Sequence, residues 1–76
     1  MTLRDLTIGK SGRIITVGGE KAFRRRLLDM GLTPRTIVKI KKAAPMGDPI
    51  ELQLRGYILT LRLEDAEKIT VDEVAE

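Results

Sequence analysis

Residues 50–63 carry the feature that most limits what this chain can fold into. Two runs of alternating apolar and polar side chains meet at Arg55-Gly56-Tyr57. Alternation with period 2 belongs to strands, and a glycine between two such runs marks a tight hairpin turn. Taking Gly56-Tyr57 as a two-residue type II′ turn puts the glycine where φ must be positive. Arg55 then faces Ile58, and the pairing runs outward through Leu54 with Leu59, Gln53 with Thr60, Leu52 with Leu61, Glu51 with Arg62 and Ile50 with Leu63. Ile50, Leu52, Leu54, Leu59, Leu61 and Leu63 share one face, while Glu51, Gln53, Thr60 and Arg62 share the other. An opposite-charge Glu51–Arg62 pair across the strands contributes about 0.5 kcal/mol.

The remaining elements are short. Thr2-Leu3-Arg4-Asp5 fits the Thr-x-x-Asp start of a helical turn with Leu3 and Leu6 inward. Residues 13–17 are rich in β-branched side chains and read as a strand ended by Gly18-Gly19. From residue 20 to 30 comes the one clear helix, with Phe23, Leu27 and Met30 on its apolar stripe and Gly31 suited to the position after its C-cap. Residues 36–43 alternate, Val38 and Ile40 facing in and Lys39 and Lys41 out; residues 64–68 form one helical turn and 69–71 a last strand. The expected fold is mainly β: a small, partly open barrel of about five strands with one inserted helix and a helical turn before the last strand.

Seventy-six residues make a single domain, 1–76. A chain this size buries only about 60% of its unfolded surface, which leaves no room for a deep substrate cavity. It has no cysteine and no histidine, so neither disulfides nor thiolate or imidazole metal ligands are available. No apolar run is long enough for a bilayer and no charged leader with an apolar core is present, so membrane insertion and a signal peptide are not expected, and a cytoplasmic location is. The net charge of +3 is polarised. Lys21, Arg24, Arg25, Arg26, Arg35, Lys39, Lys41 and Lys42 fill the middle of the chain, and Glu64, Asp65, Glu67, Asp72, Glu73 and Glu76 fill its end. A single serine, Ser11, and no matched nucleophile and base argue against an enzyme.

Three segments carry a resemblance to a known family. Arg24-Arg25-Arg26-Leu27-Leu28-Asp29-Met30-Gly31-Leu32-Thr33-Pro34 resembles the RxxLxxMGLxPG segment of the FeoA family. Residues 43–62 resemble its APxGDPxxxxxRGxxLxLR segment, and residues 64–71 its C-terminal xxEAxxIxV. The resemblance covers nearly the whole chain in order. It implies an SH3-like barrel without a cofactor that binds and regulates FeoB, a membrane permease for ferrous iron with a GTPase domain. Related domains end the metal-dependent repressors of the DtxR type, so a stand-alone relative of that domain is an alternative. Arg35 stands where the family usually has glycine, which favours a type I turn and a changed entry into the next strand. Met46 stands where leucine is frequent.

Two surfaces are candidates for a partner. The loop Pro45-Met46-Gly47-Asp48-Pro49 combines two rigid prolines with an adaptable methionine, and Asp48 can bond neighbouring amides to hold the turn. Against this stands the plain reading of turn residues with Met46 folded back on the barrel. On the helix, Arg24 and Arg25 form either a solvated face or a docking patch for acidic groups, with Arg26 laying its stem along the core edge. Leu28 falls off the apolar stripe and either packs under Leu3 and Leu6, the simpler reading, or anchors a partner. Gly31, Gly56 and Tyr57 are assigned to turns.

Glu64, Asp65 and Glu67 form at best a weak carboxylate cluster in a solvated turn, so no metal site is assigned. Small basic barrels also bind nucleic acid, and Lys39, Lys41 and Lys42 could meet phosphates. Phe23 and Tyr57 are too few aromatics for base stacking, and Phe23 is expected in the core. The same scarcity disfavours a proline-peptide groove. A weak self-association stays open.

Overall fold

A computed structural model describes residues 1–75. Five strands, β1 (Ser11–Val17), β2 (Ile37–Ala43), β3 (Ile50–Leu54), β4 (Tyr57–Leu61) and β5 (Ile69–Val74), form one antiparallel sheet in the order β4-β3-β2-β1-β5. Helix α1 (Lys21–Asp29) is inserted between β1 and β2, and the single turn α2 (Leu63–Ala66) between β4 and β5. A 3₁₀ turn at Leu3–Asp5 opens the chain, its first amide, on Thr2, donating to the Asp5 carboxylate at 2.8 Å. Thr2 pairs with Thr70 and the Val71 amide donates to the Met1 carbonyl, so the N-terminus covers β5 while the outer edge of β4 stays open. The sheet is not closed, matching the partly open barrel expected.

Two bulges explain which residues reach the core. On β1, pairing with β5 shifts between Ile14 and Thr16. Strict alternation after Ile14 would bury Thr16; the extra residue turns Thr16 out and brings Val17 in. On β2 the shift between Ile40 and Lys42 works the same way. Lys42 is turned to solvent and Ala43 takes the inner side opposite buried Ile50. Leu3, Ile14, Leu27, Leu32, Val38, Leu52, Ile69 and Val71 are all essentially inaccessible and make the centre of the core. Leu27 is the one wholly buried residue of α1; Phe23 and Met30 are half-buried at its margin.

The hairpin departs from the expected register. Leu54 pairs with Tyr57, Gln53 with Ile58, Leu52 with Leu59, Glu51 with Thr60 and Ile50 with Leu61. The central turn residues are therefore Arg55 and Gly56, with φ of 48° and 83°, the two positive values of a type I′ turn. That turn twists in the same sense as the strands, which is why it is preferred even though an arginine must take the first place. The displacement is two residues, so the apolar face is preserved and only its partners change. Tyr57 is a strand residue, Leu63 starts α2, and Glu51 finds Lys42 at 3.9 Å in place of Arg62.

The end of α1 is held by a Schellman motif. The Gly31 amide donates to the Leu28 carbonyl at 3.0 Å and the Leu32 amide to the Leu27 carbonyl at 3.0 Å, while Leu27 and Leu32 are both fully buried. Gly31 has φ of 101°, and a side chain there would also meet the Tyr57 hydroxyl at 2.5 Å. That hydroxyl donates to the Met30 carbonyl, one of the helix-end acceptors left without an internal partner. Arg35 corrects a second expectation. It does not adopt a type I turn but takes φ of 77°, because its amide donates to the Ile14 carbonyl at 2.7 Å and the following Thr36 carbonyl accepts from the Ile14 amide at 2.9 Å. The β1–β2 pairing imposes the backbone conformation, and the arginine bears the strain.

These two sites should respond in opposite directions. Gly31→Ala should destabilise by about 2 kcal/mol or more, since left-handed strain of about 1–2 kcal/mol adds to the collision with Tyr57. Arg35→Gly should stabilise by roughly 0.5–1 kcal/mol, the relief of strain exceeding glycine's extra unfolded-state freedom. Urea unfolding of both variants checks this; a loss of stability in Arg35→Gly would show that its φ is unstrained.

Candidate functional site

The 45–49 loop is built by bonds that reach beyond it. Its base is closed by the Ala44 amide donating to the Pro49 carbonyl at 3.0 Å, and its tip by the Gly47 amide donating to the Ala44 carbonyl at 2.7 Å. Gly47 has φ of 84° and the Asp48-Pro49 peptide is cis. Asp48 does not bond neighbouring amides as expected. Its Oδ1 accepts from the Leu63 amide at 3.0 Å, fifteen residues away, which satisfies the first amide of α2 where the Arg62 side chain makes no capping bond. The loop and α2 thus hold each other.

This geometry settles where Met46 sits. It is 93% exposed, the most exposed large apolar side chain among the described residues, and does not fold back on the barrel. Beside the loop lies a shallow cavity of about 380 Å³ lined by Ala43, Ala44, Pro45, Pro49 and Thr60, with the Lys42–Glu51 ion pair at its rim. A fixed apolar tip next to a mostly apolar depression can bury surface on a partner without first paying to order the loop.

The helix residues are placed differently. Arg24 and Arg25 are exposed, and Leu28 is half-buried. Leu28 and Arg24 line a separate depression of about 360 Å³ with Ile15, Thr16, Val17 and Pro34. Leu28 thus shares this depression with β1 and the turn after α1 while also packing against the core, and Leu6 lies over Gly12. Arg26 lies against Phe23, 5.5 Å from its ring centroid, and reaches Asp65 of α2 at 4.0 Å. The Lys68 ammonium also lies 4.6 Å from the Phe23 ring centroid, and the half-buried Phe23 is a margin residue rather than a core one. α2 links the two surfaces, touching the loop through Leu63 and α1 through Asp65.

Of the acidic turn, Asp65 pairs with Arg26 and Glu67 with Arg4. Among the described residues no group of three or more carboxylates comes together as a metal cage would require. Tyr57 is half-exposed, with its hydroxyl committed to the Met30 carbonyl. Among the described residues no helix is long and apolar enough to cross a membrane. Sequence reasoning missed the Asp48–Leu63 bond, because a cap supplied from a distant loop leaves no local motif.

Asp48→Ala should cost about 1 kcal/mol through the uncapped Leu63 amide, and Asp48→Asn, which keeps an acceptor, should cost less. Thermal unfolding gives the stabilities, and the Leu63 amide resonance reports the bond directly. An Asp48→Ala variant as stable as the parent, with Leu63 unmoved, would show that the loop is held by its backbone bonds alone.

Comparison with known proteins agrees with this architecture. Residues 1–73 match the model of the FeoA domain. A curated relative, the Fe(2+) transport protein A/Fe(2+) transporter FeoB fusion protein of Porphyromonas gingivalis, is 35% identical over 75 residues, 99% of this chain and 9% of the relative's own length. Among solved structures, the FeoA protein of Chlorobium tepidum superposes with a TM-score of 0.92 at 43% identity, covering 99% of this chain and 71% of that one. The zinc complex of Stenotrophomonas maltophilia FeoA, described as a prokaryotic SH3 domain protein, gives 0.82 at 28% identity, covering 95% of this chain and 89% of that one. With a family match across almost the entire sequence and the same fold in solved relatives, the chain belongs to the FeoA family of ferrous iron transport.

Proposed function

We propose that this protein is a non-enzymatic accessory of ferrous iron uptake that binds the cytoplasmic part of a FeoB-type permease and biases its conformational states. The observation that carries the reading is Met46, 93% exposed on a loop cross-braced to α2. Pro45, Met46, Gly47, Asp48 and Pro49 form the preformed contact, with Met46 entering an apolar pocket on the partner. Arg24 and Arg25 supply charge on the helix, and Leu28 with its depression supplies a second apolar contact. A relative in which the FeoA and FeoB portions share one chain supports physical proximity of the two. Regulation follows if the preformed surface has unequal affinity for two states of the permease, because a ligand shifts an equilibrium only by its differential affinity.

Calorimetric titration with the cytoplasmic domain of the FeoB from the same organism, with and without a GTP analogue, tests this. Met46→Asp should weaken binding by about tenfold or more, the loss of an anchoring apolar contact, while leaving the circular dichroism spectrum and melting temperature unchanged. Arg25→Glu should slow association and flatten its salt dependence. Undiminished binding by a folded Met46→Asp variant would remove the loop from the interface.

A further inference from the structure

Two features point to a separate place on the molecule. Arg35 and Arg55, with φ of 77° and 48°, are the two non-glycine residues with positive φ among the described residues. Both line one cavity of about 400 Å³, together with Pro34, Thr36 and Ile37. Glycine would occupy either backbone position without strain, so the chain sets two arginines at one opening at a cost in stability.

Arg55 is also built in. Its Nη2 donates to Thr33 Oγ1 at 3.1 Å and to Thr36 Oγ1 at 2.9 Å, and the two hydroxyls bond each other at 2.9 Å. Thr36 is itself only 6% exposed, so the anchor under the guanidinium is rigid. One nitrogen is spent on this anchor, while the other edge of the planar group keeps its donors for a ligand. No carboxylate forms an ion pair with Arg35 or Arg55 among the described residues. Two like charges at one cavity repel each other unless an anion neutralises them.

We infer that Arg35 and Arg55 form a binding site for a phosphate group, either inorganic phosphate or the phosphate of a small nucleotide. A phosphate is preferred to a carboxylate because it carries up to two charges and at least three acceptor oxygens. It can therefore meet two guanidinium forks at once, whereas one fork already satisfies a carboxylate. The site is independent of the permease reading, since neither arginine belongs to the loop or to α1.

Amide NMR titrations with inorganic phosphate, pyrophosphate and a nucleoside diphosphate test the site. The expected result is saturable shifts at Arg35, Thr36, Arg55 and Gly56. Arg55→Gln should weaken binding by about tenfold or more, and Arg55→Lys, which keeps charge without the planar fork, by less. Arg35→Gly is the sharpest variant: it should lose affinity to a similar degree while being more stable than the parent, so lost binding cannot be put down to unfolding. Tighter binding of the nucleoside diphosphate than of pyrophosphate identifies a nucleotide, and equal affinity identifies free phosphate. Non-saturating shifts spread over all basic residues, or unchanged affinity in Arg35→Gly, would overturn the site. Saturable shifts at these amides with an acidic peptide, without any phosphate response, would overturn it in favour of a protein partner.

Discussion

The junction at the end of α1 is the constraint on which the rest of this structure depends. Left-handed Gly31 reverses the chain, sends Leu32 into the core beside Leu27, and leaves the Met30 carbonyl facing the Tyr57 hydroxyl. One residue thereby ties α1 to the first residue of β4. The strand that follows the helix is registered on β1 by the Ile14–Arg35 and Ile14–Thr36 bonds, and this same pairing forces Arg35 into positive φ. Helix, hairpin and sheet are coupled through fewer than ten residues. In a domain this small the core alone leaves little margin, so such polar and conformational locks set how firmly the surfaces are presented.

α2 plays the corresponding part at the other end. Four residues long, it has no independent stability and exists because its neighbours satisfy it: Asp48 at its first amide, Arg26 at Asp65, and Ala66 buried in the core. The dependence runs both ways, since Asp48 would otherwise leave the loop tied only by its own backbone bonds. The surface proposed for the permease and the helix face beside it are thus joined by an element that neither could hold alone. The arginine cavity meets the Leu28 depression at Pro34, which lines both, and is held by the hydroxyls of Thr33 and Thr36 and by the strained turns on either side.

Much of this was legible beforehand because it is local. The apolar stripe of α1, Gly31 as its terminator, the inward Val38 and Ile40, and the Thr2-Asp5 turn each follow from side chains within a few residues of one another. The parts that were not legible involve distant partners. Leu28 shares a depression with β1 and Pro34, Asp48 bonds Leu63, and Glu51 pairs with Lys42; nothing at any of these positions advertises the other member. Bulges are equally silent. A strict period-2 reading buries Thr16 and Lys42, and only the extra residues at Ile15 and Lys41 turn them out.

The hairpin shows the division most clearly. Alternation alone determined which side chains share its apolar face, because successive residues of a strand must point to opposite sides. Any register displaced by two residues preserves that face, so the pattern could not select among them. The choice of Arg55-Gly56 over Gly56-Tyr57 belongs to the tertiary structure. Tyr57 must lie in β4 to reach the Met30 carbonyl, and the type I′ turn matches the twist of the strands it joins.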